Sequence, residues 1–286
     1  MGEFSEILNL VAKGSILVFV IGSMLSLGLG LTMPQIINPL RDIRRVVLAL
    51  LANFVLVPFL TWLIFKGIPL DTGTKIGLVL LATAAGAAFL PKLAEIAKGD
   101  VAFSVGLMLL LMVVSIAYMP LVLPLILEGV KVDSVGIARS LTLMMLLPLI
   151  IGLVVRAYAE GLANIIRPFL LKLSNLALVL LTVLLVVLHF QNILSMIGLD
   201  GLAIILFLLA SVGAGILLGG RSAPIRNVMA LGTGQRNISA ALVVAGQNFD
   251  DPKILVTLVV TAIIGLLIML PLASWMSKKR IKERIM

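Results

Sequence analysis

The sequence predicts an all-α polytopic membrane protein, and three observations carry that prediction. Hydrophobic residues make up 61% of the 286 and charged residues only 12%, where an ordinary soluble domain carries about a quarter charged residues. The apolar residues fall in unbroken runs, each long enough for a helix to cross a hydrocarbon core about 30 Å thick. The formal net charge of +9 comes from Lys and Arg in the short connections between runs, a positive-inside distribution rather than a nucleic-acid surface. The chain has no cysteine and a single histidine, His189, which excludes disulfides and a Cys/His metal cluster. No cofactor and no metal is expected, and the expected partner is membrane lipid.

Nine spans follow in order. Residues 1–13 form a tail with Glu3 and Glu6. The first run, about 14–33, lacks a small-residue cleavage site and is long enough to span, so it reads as a helix and not as a signal peptide. A basic loop leads to the second, about 46–65, which contains Asn53 and Pro58. The third, about 74–97, is interrupted by Gly86 and Pro91. The fourth and fifth cover about 101–127 and 135–155, the sixth about 173–190 and the seventh about 202–218. The eighth, about 225–246, is broken by Gly232 and Gly234, and the ninth covers about 254–276 before a basic tail.

Loop charges support this odd-numbered layout. With the amino terminus outside, Arg41, Arg44, Arg45, Lys98, Arg156, Arg167, Lys172, Arg221, Arg226, Lys278, Lys279, Arg280, Lys282 and Arg284 face the cytoplasm. Outside fall fewer than half as many, namely Lys13, Lys66, Lys75, Lys131, Arg139 and Lys253, together with Asp71, Glu128, Asp133, Asp200, Asp250 and Asp251. The chain is therefore expected in the cell (inner) membrane with its carboxyl terminus cytoplasmic.

Two cations remain inside the apolar runs, Lys92 in the third and Arg236 in the eighth. At 1.5 Å per residue, Arg236 lies roughly 15 Å from Arg226 and roughly 21 Å from Asp250, close to the bilayer centre. A cation there costs several kcal/mol unless it is paired, hydrated or faces a cavity. Arg236 therefore reads as an anion-binding or ion-substituting group, with a brace between helices as the plainer alternative. Lys92 lies roughly 9 Å along a helix from Lys98 and can instead snorkel to the cytosol. Glu95, one turn from Lys92, either pairs with it or serves as a proton-coupling element. Paired interruptions in two halves of a transporter point to inverted repeats around a midplane site. Spans one to four would then mirror six to nine.

Gly28-Leu-Gly-Leu-Thr32, Asn53-Phe-Val-Leu-Val-Pro58, Lys98-Gly-Asp-Val-Ala-Phe-Ser-Val105 and Gly234-Gln-Arg-Asn237 resemble the bile acid:sodium symporter family, in order and spacing, over nearly the whole chain. The resemblance implies one transporter domain over 1–286, an inverted repeat lacking its first helix. Its panel helices would be 14–33, 135–155 and 173–190. Its core helices would be 46–65, 74–97, 101–127, 202–218, 225–246 and 254–276, with two unwound helices crossing at the centre. Sodium-ligand positions are only partly filled. A Ser-Asn pair falls on Leu90-Pro91, a threonine on Met108, the shared acidic residue on Gly232 and a glutamine on Arg236. Ser104 is retained, and a further glutamine becomes Asn53. Hard cations want several oxygens and usually a carboxylate, and little of that cage survives.

The reading is a secondary transporter for a small or amphipathic organic anion, working by alternating access. It is sodium-independent, with Lys92 and Arg236 standing in place of sodium ions. Gln235, Asn237, Asn53 and Ser104 complete the candidate site, and Pro91, Gly232 and Gly234 shape the crossing backbone. Two alternatives stay open: a sodium-coupled bile acid-like symporter, and a non-transporting membrane receptor. No HExxH, Ser/His arrangement or GxxxxGK[ST] loop is present, which disfavours an enzyme or a nucleotide-driven pump.

Overall fold

The computed structural model describes residues 2–127 and 133–285, and helix is the regular structure found among them. Glu128 and Lys131, counted above at the outer face, lie outside the described residues. So do the side chains of Glu3, Glu6, Lys279, Arg280, Lys282 and Arg284.

α1 (Gly2–Gly30) includes the segment expected as a tail and stops three residues early. Thr32 and Gln35 there form a capping box that starts α2 (Met33–Ile37). A 3₁₀ turn (Asn38–Arg41) leads to α3 (Ile43–Leu51), capped by Asp42, which accepts from Arg45 N–H. A π turn (Ala52–Leu56) joins α3 to α4 (Val57–Gly67). The proline ring of Pro58 crowds the carbonyl four residues back, which is that of Phe54. The Tyr118 hydroxyl donates to this displaced carbonyl at 2.6 Å.

The next segment divides into α5 (Thr72–Thr83) and α6 (Leu90–Ile96). Between them Gly86 takes φ +84°, a left-handed conformation, and lies against the backbone of Met108 and Met112. α7 (Val101–Ile126) begins at Asp100, whose carboxylate accepts from Phe103 N–H. α8 (Ser134–Leu141), a second π turn (Thr142–Leu146) and α9 (Leu147–Tyr158) repeat the earlier pattern, with Pro148 placed as Pro58 is.

α10 (Glu160–Leu188) is longer than expected. Arg167 and Lys172, expected in a loop, lie within its first half. Then come α11 (Phe190–Ser195), α12 (Leu199–Leu218), α13 (Ala223–Gly234), α14 (Ile238–Asn248) and α15 (Pro252–Ile285).

Seven helical segments among the described residues are long and apolar enough to cross a membrane: Leu10–Gly30, Ile43–Gly67, Val101–Ile126, Ser134–Tyr158, Glu160–Leu188, Leu199–Leu218 and Pro252–Lys278. The expected third and eighth spans are not continuous helices. Each consists of two shorter ones, α5 with α6 and α13 with α14.

α1 packs along α9 and α10. Gly28 and Gly152 meet so closely that an added Cβ on Gly152 would lie 2.5 Å from the Leu25 carbonyl. The remaining helices gather around α5, α13 and α14, most of whose residues are buried. At one end of this second group Lys253 Nζ bridges Asp71 at 3.4 Å and Asp200 at 3.3 Å, joining the starts of α5, α12 and α15.

Candidate functional site

The two interrupted segments touch at their breaks. α5 ends at Thr83, and the carbonyls of its last turn have no further turn of helix to accept from. Asn237 N–H donates to the Ala84 carbonyl at 3.0 Å, placing the α13–α14 break against the α5–α6 break. Ser115 Oγ of α7 accepts the Ala85 N–H at 2.8 Å and donates to the Leu111 carbonyl at 2.9 Å, holding the first break from the other side.

Arg236 sits in this junction, 3% exposed. Its Nε donates to the Leu81 carbonyl at 2.8 Å, and its Nη2 to the Ala82 carbonyl at 2.9 Å. Its Nη1 donates to Asn53 Oδ1 at 2.8 Å and to the Thr233 carbonyl at 3.0 Å. Four of the five guanidinium N–H groups are thus used. The guanidinium lies at the negative end of the α5 dipole, where a cation is favoured. All four acceptors are neutral oxygens, and among the described residues no carboxylate pairs with Arg236.

Asn53 reaches Arg236 because the π turn adds a residue to the helix and re-aims its side chain. Its Nδ2 donates to the Ala49 carbonyl at 3.0 Å and to Thr233 Oγ1 at 3.2 Å, so both ends of the amide are fixed. Thr233 and Tyr118 escaped the sequence reading. The signal for both was Pro58, which forces the π turn and frees the Phe54 carbonyl for Tyr118.

The structure brings Arg236, Asn53, Asn237 and Gly234 together and leaves other expected residues out. Lys92 does not reach the junction. Its Nζ bonds Glu95 Oε2 at 2.8 Å, and both side chains are more than half exposed. Lys92 thus lies apart from Arg236, and the plainer alternative for both residues, a Lys92–Glu95 pair at the surface, is the one found. Adjacency to the break was misleading, because α6 turns Lys92 away from it. Ser104 is buried, with its hydroxyl donating to the Val101 carbonyl at 2.6 Å. Gln235 is half-buried beside the break. Asn237 Oδ1 caps α14 by accepting from Ala240 N–H, while its Nδ2 is buried with no hydrogen-bond partner among the described residues. Pro91 occupies the first turn of α6, where a missing N–H is tolerated.

At Gly232 the space that a side chain would take is filled by Leu90, whose Cδ2 lies 2.9 Å from a built Cβ, with Leu107 next to it. Leu90, Leu107 and Met108 are all buried. A niche of about 10 Å³, bordered by Gln235, Arg236, Thr261 and Gly265, is about the size of one water. A larger apolar cavity of about 120 Å³ lies between α10, α11 and α15, lined by residues including Leu185, Phe190, Val256 and Ile263. His189, between α10 and α11, is partly buried, which holds its imidazole below the usual range.

The description of a known family, the sodium bile acid symporter family, matches residues 16–196, well over half of the chain. The stretch around Arg236 lies beyond the matched residues. Two plant proteins, each described as a probable sodium/metabolite cotransporter, chloroplastic, are similar over part of their length. That of Oryza sativa subsp. japonica is 26% identical over 148 residues, covering 51% of this chain and 35% of the relative. That of Arabidopsis thaliana is 27% identical over 148 residues, covering 51% and 34%. The chain thus matches about a third of the length of these curated relatives.

Proposed function

The chain belongs to the sodium bile acid symporter family, and from that premise we propose that it is a sodium-independent secondary transporter of a small or amphipathic organic anion, with Arg236 in the place of a sodium ion. The observation that carries the proposal is the ring of four oxygens around the guanidinium, three backbone carbonyls and Asn53 Oδ1. A hard cation favours such an oxygen set. Here a tethered cation uses it. The second observation is apolar filling: Leu90 and Leu107 close over Gly232 with side chains that offer sodium nothing. Lys92, exposed and paired with Glu95, has no part in this proposal.

In this reading α5–α6 and α13–α14 are the third and eighth of nine spans and cross at their breaks. α1, α8–α9 and α10 form the panel, and the rest forms the core. The amino terminus faces outward from the inner membrane, and substrate passes between panel and core by alternating access. A planar carboxylate, or a tetrahedral sulfonate, suits the remaining guanidinium N–H and the Asn237 amide.

The plant relatives' description as sodium/metabolite cotransporters favours a second reading, coupling to sodium. One experiment separates the two. Thermal stability of the purified protein is measured while NaCl replaces choline chloride at matched ionic strength. A ligand bound only by the folded state stabilises it by about 2.7 kcal/mol at a hundred times its Kd. No sodium-specific shift is expected. A saturable shift would establish the sodium-coupled reading and end this one.

A further inference from the structure

Among the described residues, the charged side chains that are buried are Arg236 and Asp200. Asp200 is paired with Lys253 at 3.3 Å. Arg236 donates four of its five N–H groups, but its charge meets only neutral oxygens. A guanidinium keeps its proton throughout the physiological pH range. In the nine-span reading this is one fixed positive charge near the middle of the membrane field.

The acceptors also show what this charge is fastened to. Asn53 belongs to the π turn between α3 and α4, Leu81 and Ala82 to α5, and Thr233 to α13. None lies on α1, α9 or α10, which pack chiefly on one another, with α1 also against α14 and α10 against α15. The guanidinium is therefore bolted to the core alone and travels with it whenever core and panel slide past one another.

We propose that Arg236 is the moving charge of the transport cycle. The empty core crosses the field as a cation, and a core loaded with a monovalent anion crosses as a neutral body. An inside-negative potential draws the empty core toward the cytosol, where it loads anion. The neutral complex then moves outward regardless of the potential. Voltage dependence falls on the empty return step, and the potential drives efflux without a co-transported cation. The inference rests on the alternating-access reading, and the test separates its failure from the failure of that reading.

The chain has no cysteine, so two introduced cysteines can be spin-labelled uniquely. Tyr158→Cys at the end of α9 and Leu217→Cys near the end of α12 are suitable, being 89% and 74% exposed. They report the panel and the core at the same face. The full-length protein is placed in vesicles without substrate, and external ascorbate silences molecules whose labelled face points out. A potassium gradient with valinomycin then sets the interior negative. Distances between labels are read by pulsed electron paramagnetic resonance.

Two populations are expected, with their ratio moving toward the inward-facing one by up to roughly fifty-fold per 100 mV for a full charge crossing the whole field. Arg236→Lys should keep the response, and Arg236→Gln should lose it. Two populations indifferent to voltage in the unsubstituted protein would overturn the inference and leave alternating access standing. So would a response that persists in Arg236→Gln. A single population under every condition would overturn both readings.

Discussion

Arg236→Gln is expected to abolish transport while leaving a folded protein that still does not respond to sodium. The substitution removes the charge and strands the Leu81 and Ala82 carbonyls, which now accept from Nε and Nη2. A hydrogen bond from a charged group contributes about 1.5–3 kcal/mol. Against that loss stands the release of a buried cation, whose desolvation costs several kcal/mol. The opposing effects leave a net change in stability of about 1–3 kcal/mol on that scale, well short of unfolding. Sodium is not expected to take the vacated position. Leu90 and Leu107 fill the space over Gly232, and the substituted chain gains no carboxylate. Uptake of labelled carboxylates and sulfonates into proteoliposomes, together with the NaCl and choline melting curves, measures both parts. Transport at the unsubstituted rate would reduce Arg236 to a brace between helices.

The largest loss of stability is expected from Gly86→Ala. Gly86 is left-handed at φ +84°, and a Cβ there would lie 2.5 Å from the Met108 carbonyl oxygen and 2.8 Å from Met112 Cα. The conformation costs an L-residue about 1–2 kcal/mol, and overpacking adds about 1–3 kcal/mol. The obstacle is α7 backbone, which has no rotamer to yield. Any shift of Gly86 also disturbs Ala84 and Ala85, the contacts of Asn237 and Ser115. A natural domain has only about 5–15 kcal/mol in hand, so the substitution should lower the melting temperature sharply. Gly14→Ala is the control, because nothing lies within 4 Å of a Cβ built there. It should melt at or slightly above the unsubstituted protein, since a helix interior favours alanine. Equal melting of the two variants would refute strain at Gly86.

Unbroken apolar length made seven spanning helices legible, and a cation within an apolar run made Arg236 legible. Its partners were not. Backbone carbonyls carry no signature in sequence, and those of Leu81 and Ala82 become available only because α5 stops at Thr83. The family resemblance makes Asn53 a site residue, yet its contact depends on a π turn that shifts it around the helix. Pro58 held that information, and Pro148 the matching turn before α9. Lys92 illustrates the opposite error. Four residues separate Gly86 from Pro91, and proximity to that interruption suggested a place in the centre. The direction of α6 decided otherwise, because Lys92 and Glu95 share its exposed face. Helix face, and not distance along the chain, governs whether a charge beside a break enters a site.

The fastening of Arg236 to carbonyls from α5 and to Asn53 also constrains the order in which the chain is built into the bilayer. An arginine at the centre of a spanning segment opposes insertion by about 2.5–3.5 kcal/mol when the segment meets lipid alone. Three of the four oxygens that relieve this cost stand at positions 53, 81 and 82, all synthesised well before 236, and the fourth is the Thr233 carbonyl of the segment itself. Residues 223–248 are therefore expected to integrate poorly as an isolated segment and efficiently in the full chain, as glycosylation mapping during translation would read. Equal integration in both settings would mean that the arginine imposes no such order. The amino-terminal part of the protein thus serves its successor as solvent.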